Sequence, residues 1–356
     1  MYFIQLLLVL IIPIVLYKKI TKKTYCRIVF LLLAGLMCFR AKTVGLYDTE
    51  KMYLPWINLF DRMSLQEILR IYPLYRGSLL QILTKLYLNF SNSEELWIFL
   101  TSIPFCYATY KLVYEESKNV KEAALYFTLI ITLRLYSTQF FTIRHGLASA
   151  MLVFAYLSIK KNKYVQYSLF FLLATMFHST AIVFLIILPF KLFDWKINWK
   201  HFVFSLIVLL VALYIINNHF GLVLSYLDGS LSYYQNYKSE GGAAYTFPLM
   251  ITCLYFMTFS LFSLKDSKNK IYDSFSFNIL ALATITMYGS TVIASFYRIS
   301  YFFLIIGCKS IKDSIVLQKR KIRIAIYVIV FGLLFYTYYL NLISTNMIPY
   351  RSWLFN

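Results

Sequence analysis

The feature that most constrains this chain is a succession of apolar runs, most of them near bilayer-spanning length, each set off by a short polar stretch. The runs at 1–17, 28–40, 95–113, 122–138, 143–160, 164–178, 180–192, 202–217, 246–264, 273–294, 298–310 and 323–343 predict about twelve crossings. The fold expected from them is all-α, a polytopic integral membrane protein; three runs are short, which leaves room for one or two re-entrant segments. Only 14% of the residues are charged and 60% are hydrophobic, whereas a soluble globular chain is charged at about a quarter of its positions. No hydrophilic stretch is long enough for a separate domain and no internal repeat is visible, so 1–356 is expected to be a single transmembrane domain. The run at 1–17 has neither a basic segment before it nor a small-residue cleavage site after it, and is expected to stay as the first membrane helix.

Lysines and arginines in short loops set the orientation. Lys18, Lys19, Lys22, Lys23 and Arg27 predict a cytoplasmic first loop and an outer N-terminus. Alternation from there puts the basic clusters at 111–121, 160–163, 191–200, 265–270 and 309–323 on the same side, so that 23 of the 35 Lys and Arg are cytoplasmic. The formal charge of +20 is therefore explained by helix orientation, and no nucleic-acid partner is expected. The five cysteines lie in or beside apolar runs without a CxxC pair, and read as packing residues.

The outer side carries Arg40, Lys42, Lys51, Arg62, Arg70, Arg76, Lys85, Arg134, Arg144, Lys238, Arg298 and Arg351; eight of these twelve are arginine, against three of 23 inside. A guanidinium grips phosphate through a planar fork where an ammonium is a point charge, so the outer face is expected to hold phosphate or another anion. Snorkelling to headgroups is the competing reading for Arg40, Arg62 and Arg351, and a structural contact for Arg76 and Arg134. Two outer loops are expected, at about 41–94 and 218–245. The first holds an amphipathic helix from about Ser64 to Tyr72 and a second helix opened by Pro73, an outer re-entrant or amphipathic segment around 64–90. The second, rich in tyrosine and carrying Gly241-Gly242, suits either a mobile flap over a saccharide or an ordinary surface loop.

The centre of the chain runs from Phe141 to Phe190. Arg144 and His145 open an apolar helix, Lys160, Lys161, Asn162 and Lys163 form a turn, and the next apolar run is broken at Phe177, His178 and Ser179. Ionisable groups inside such a sequence are costly and mark a task. The order Arg144-His145-Gly146-Leu147-Ala148, then a Lys/Asn turn, then Ala174-x-x-Phe177-His178-x-Thr180-Ala181 resembles the EpsG / Wzy family of bacterial polysaccharide repeat-unit polymerases. Asp48-Thr49-x-x-x-Tyr53, Tyr297-Arg298 and Pro349-Tyr350 are also similar to that pattern, and His145 departs from it by replacing a Gln. The resemblance implies a GT-C-like glycosyltransferase of the bacterial cytoplasmic (inner) membrane. It would join polyprenyl-diphosphate-linked oligosaccharides on the periplasmic or outer face, for O-antigen, capsule or exopolysaccharide, with a flippase and a chain-length regulator as partners.

Sugar transfer from a diphosphate requires stabilisation of the leaving group's charge and orientation or deprotonation of an acceptor hydroxyl. Arg144 and Arg298 are the candidate diphosphate ligands and His178 the candidate base or acceptor-orienting group. Asp48, Arg76, His145, Ser179 and Tyr297 are candidate substrate-binding residues. A headgroup contact or ion pair is the alternative for each arginine, and a turn histidine bonded to a backbone carbonyl for His178. No Asp-x-Asp, GxxxxGK or metal-ligand spacing is visible, so no metal and no cofactor is expected. The rival class is a lipid-linked oligosaccharide flippase, but no acidic residue falls mid-run and no repeated halves are visible. A membrane acyltransferase would need a cytoplasmic histidine, and only His201 has that position.

Overall fold

The structure is a computed structural model that describes residues 1–16, 19–44, 48–74, 77–193, 249–260, 274–290, 296–344 and 347–354, with single positions between 200 and 215. The described residues form helices joined by turns and short loops, with one isolated bridge between Arg40 and Ser352 and no strand among them. We number the helices α1 (Tyr2–Val15), α2 (Lys22–Cys38), α3 (Pro55–Asp61), α4 (Leu65–Ile71), α5 (Leu79–Leu88), α6 (Glu94–Glu116), α7 (Val120–Thr132), α8 (Ile143–Lys160), α9 (Tyr164–Phe177), α10 (Ile187–Leu192), α11 (Leu249–Ser260), α12 (Ser274–Gly289), α13 (Phe296–Leu317) and α14 (Arg320–Ser344). Among them α6 alone is long and apolar enough to cross a membrane by itself; α1, α5, α9, α11 and α12 are shorter apolar helices. The tyrosine-rich segment 218–245 lies outside the described residues.

The chain divides into two compact units, Met1–Leu185 with Ile324–Asn356, and Ile186–Arg323. In the first, the starts of α2, α6 and α7 are fixed by side-chain caps from Thr21, Ser93 and Asn119 to the amides of Thr24, Leu96 and Glu122. The α8–α9 connection is a tight turn in which Asn162 adopts the left-handed conformation (φ 57°) that asparagine tolerates, and the Lys163 amide donates to the Ser158 carbonyl at 2.9 Å. So short a connection makes α8 and α9 antiparallel, and the start of α8 meets the end of α9. The C-terminal segment folds back on the end of α2: Ala41 N donates to Arg351 O at 2.9 Å, Ser352 Oγ to Phe39 O at 2.7 Å, and the Trp353 ring centre lies 5.4 Å from that of Phe39.

The amphipathic helix expected from Ser64 is α4, closed by a capping box in which Ser64 N donates to Glu67 Oε2 at 2.7 Å and Glu67 N to Ser64 Oγ at 3.2 Å. The backbone hydrogen bond from Ser64, and then the one from its side chain, hold the Glu67 carboxyl below its ordinary value. A lowered folded value means the contribution is present above the unfolded value and lost as pH falls through the folded one. Amide exchange across α4 should therefore rise on acidification, and Ser64→Ala should raise it at neutral pH by removing about 1 kcal/mol.

In the second unit α12 and α13 pack closely: a Cβ on Gly307 would stand 3.1 Å from Leu280 Cα, and Ser300 Oγ donates to Ala283 O at 2.9 Å. Helix α13 corrects one expectation. The apolar run at 298–310 continues helically to Leu317, so Lys312 and Asp313, beyond the expected end of the run, stand with Lys309 inside a buried helix. The reason is local pairing, since Asp313 accepts from both lysines at 2.8 Å, one oxygen each.

Candidate active site

The antiparallel α8–α9 pair delivers Arg144, in the first turn of α8, and His178, the residue after α9, to the same end. Arg144 is half-buried; its Nη1 lies 3.5 Å from the Gly77 carbonyl oxygen, and its Nε is buried without a hydrogen-bond partner. An orphaned buried donor on a cation is costly unless a ligand fills it, which makes this atom the most informative at the site.

His145 stands beside Arg144 but points inward, 1% exposed. Its Nδ1 is 3.3 Å from Gln139 Oε1 and 3.4 Å from Ser149 Oγ, and its ring meets that of His178 edge-on at 5.9 Å. His178 is half-buried, with Nδ1 2.8 Å from the Thr180 hydroxyl, and Ser179 is exposed next to it. Thus Arg144, His145, His178 and Ser179 lie together in the first unit, with His145 as the buried partner on which the His178 ring rests.

The loop before α5 closes the same place. Gly77 has φ +74°, and a Cβ there would lie 2.6 Å from Ser179 N and 2.9 Å from His178 Cα. Both the left-handed backbone and the close approach demand glycine. Arg76 lies outside the described residues, as does Tyr75; their neighbour Gly77 is at the site. Gly77→Ala should cost about 2 kcal/mol of stability through strain, read as a lower thermal midpoint, and should also weaken activity by displacing the His178–Ser179 backbone.

The turn that launches α8 is itself anchored. The Phe140 carbonyl accepts from Arg40 Nη2 and from Thr49 Oγ1, each at 3.1 Å. Arg40 is fully buried and also donates through Nη1 to Ser102 Oγ at 2.8 Å and to Met37 O. Thr49 belongs to the helical turn Asp48–Tyr53, which Asp48 begins, so the Asp-Thr element is tied to the launch point of Arg144. Arg134 is likewise buried, its Nη2 donating to the Thr337 carbonyl at 3.0 Å. These two arginines, counted on sequence with an anion-holding face, bind backbone carbonyls in the interior. In the second unit Arg298 opens α13 with Tyr297; its Nε is 3.2 Å from the Tyr297 hydroxyl oxygen and its guanidinium 5.7 Å from that ring's centre. Among the described residues no group of three or more His, Cys, Asp or Glu is placed to hold a metal ion.

Sequence reasoning passed over Gly77, Gln139 and Thr180 as site residues. Gly77, a glycine four positions after Pro73, carried a turn signal, and Thr180 stood inside the motif around His178. Gln139 carried none. No curated protein and no solved structure matches the chain. The sequence model of the EpsG family matches residues 23–352, a span that takes in Arg40, Gly77, the α8–α9 pair and Arg298, and the chain therefore belongs to the EpsG family.

Proposed function

We propose that this protein is a polytopic, GT-C-like glycosyltransferase of the bacterial cytoplasmic (inner) membrane that polymerises polyprenyl-diphosphate-linked oligosaccharide repeat units on its periplasmic or outer face. The observation that carries the reading is the buried, unpartnered Nε of Arg144 beside the His145–His178 pair. Family membership supports the polysaccharide chemistry. A membrane setting is supported by apolar side chains that face outward along whole helices, such as Ile4, Leu7, Ile11 and Ile14 on α1 and Val165, Leu169 and Leu172 on α9.

In this reading the acceptor hydroxyl oxygen attacks the donor's anomeric carbon and the bond to the diphosphate oxygen breaks. Arg144 meets the charge that develops on the leaving diphosphate, and its fork suits two phosphate oxygens. His178 takes the acceptor's proton through Nε2 in the tautomer whose Nδ1–H donates to the Thr180 hydroxyl oxygen. Ser179 contacts the saccharide or diphosphate, Asp48 and Arg76 stay candidate substrate-binding residues on the sequence pattern alone, and Arg298 with Tyr297 is a candidate anion-holding group within the second unit. The product is O-antigen, capsule or exopolysaccharide, and a flippase and a chain-length regulator act with the protein. His178→Ala should leave donor binding intact and slow transfer by about 100-fold or more; unchanged turnover of purified lipid-linked repeat units would remove His178 from the mechanism.

A second reading, a flippase for the same lipid-linked oligosaccharide, is favoured by the buried Asp313 between Lys309 and Lys312, because coupled transporters use buried ionisable relays.

A further inference from the structure

At the other end of the α8–α9 pair, away from Arg144 and His178, a cavity of about 200 Å³ opens between α6, α8 and α9. Its floor is aromatic: the Phe154 ring centre is 6.1 Å from that of Tyr107 and 5.4 Å from that of Phe170. Its rim carries Lys111, Lys161 and Lys163. Each helix repeats one arrangement, with a ring one turn deeper than a polar residue: Tyr107 below Lys111 on α6, Phe154 below Ser158 on α8, and Phe170 below Gln166 on the antiparallel α9. One helical turn is about 5.4 Å, so a polar tier overlies an apolar tier at a single depth. Positive charge that served only to orient helices would need neither a cavity nor this layering.

We propose that this cavity binds the phosphate headgroup of an anionic phospholipid, the lysines holding the phosphate and the acyl chain lying over Tyr107, Phe154 and Phe170. The site is distinct from the one assigned to sugar transfer, and it rests on the membrane setting proposed above. One feature tunes it: Glu115, also on the rim, forms an ion pair with Lys161 and withdraws part of the positive charge. The lining then counts three lysines against one carboxylate, a surplus suited to one phosphodiester. The exposed apolar faces of α6 and α9, at Leu100 and Leu169, continue from the cavity and would meet the rest of the acyl chains.

The test is lipid retention by the purified full-length protein, measured by native mass spectrometry with phosphatidylglycerol, phosphatidylcholine or inorganic phosphate as the added probe. Phosphatidylcholine carries the same phosphodiester but neutralises it with a choline cation that the lysines repel, so the three lysines separate the two lipids by net headgroup charge. Phosphatidylglycerol should therefore be preferred over phosphatidylcholine by about 10-fold, and the Lys111→Gln/Lys163→Gln double variant should abolish that preference. Glu115→Gln should strengthen phosphatidylglycerol retention by about 5-fold, an opposite sign that loss of folding cannot imitate. Equal retention of both lipids, or a preference that survives the double variant, overturns the proposal. Displacement of the lipid by equimolar inorganic phosphate would mean that the site reads free phosphate and would overturn the lipid assignment. Release of the chain from cell membranes by an alkaline wash would overturn the membrane reading itself, whereas a retained chain without lipid preference overturns only this site.

Discussion

Arg144→Lys is expected to leave the protein folded and in the membrane while lowering polymerisation of purified lipid-linked repeat units by at least about 100-fold. The substitution keeps one positive charge at the start of α8 but removes the planar fork and with it the buried Nε that has no partner in the protein. A lysine ammonium can reach one phosphate oxygen region as a point charge; it cannot supply two parallel donors from a fixed plane. If the guanidinium served only to meet lipid headgroups, lysine would substitute with little loss. Activity within a few-fold of wild type, at equal protein levels in the membrane, would therefore contradict the diphosphate assignment.

Arg40→Met is expected to act through stability. The Arg40 guanidinium is fully buried, and its donors satisfy the carbonyls of Met37 and Phe140 and the Ser102 hydroxyl, linking the end of α2, the middle of α6 and the turn before α8. Its plane also lies 5.4 Å from the Phe140 ring centre. Methionine fills similar volume but donates nothing, so Phe140 O keeps only Thr49 and the other acceptors lose a buried partner. A loss of about 3 kcal/mol is expected, seen as a lower thermal midpoint in detergent, together with reduced activity because Arg144 is launched from this turn. An unchanged midpoint would mean that the three segments are held by packing alone.

How much of this was legible in the sequence depended on whether the signal was local. Helix α8 occupies 143–160 as expected, and α9 ends one residue before the expected 178, because an apolar run bounded by a Lys-Asn turn leaves few other boundaries. Ser64 was readable as the start of α4 for the same reason, a cap with an acid three residues on. Lys312 and Asp313 fell beyond the expected end of the run at 310, since sequence alone does not reveal that Asp313 pairs with a lysine four residues back on a buried helix face. The arginines assigned on sequence to an outer side are mixed in kind: Arg40 and Arg134 bind carbonyl oxygens, which a guanidinium grips as readily as phosphate oxygens. Gly77 and Gln139 became visible only in three dimensions, because each acts on a partner brought close by the fold, the His178–Ser179 backbone for one and His145 for the other.

In the proposed function the site around Arg144 polymerises repeat units instead of moving them across the membrane. The most direct measurement is the surface polysaccharide ladder from cells with the gene deleted and then complemented with wild type or Arg144→Ala. Deletion and Arg144→Ala are both expected to abolish long chains while single repeat units still reach the surface, and wild type is expected to restore the ladder. Loss of every surface unit, with lipid-linked repeats trapped inside, would contradict the proposed function and mark the protein as a flippase.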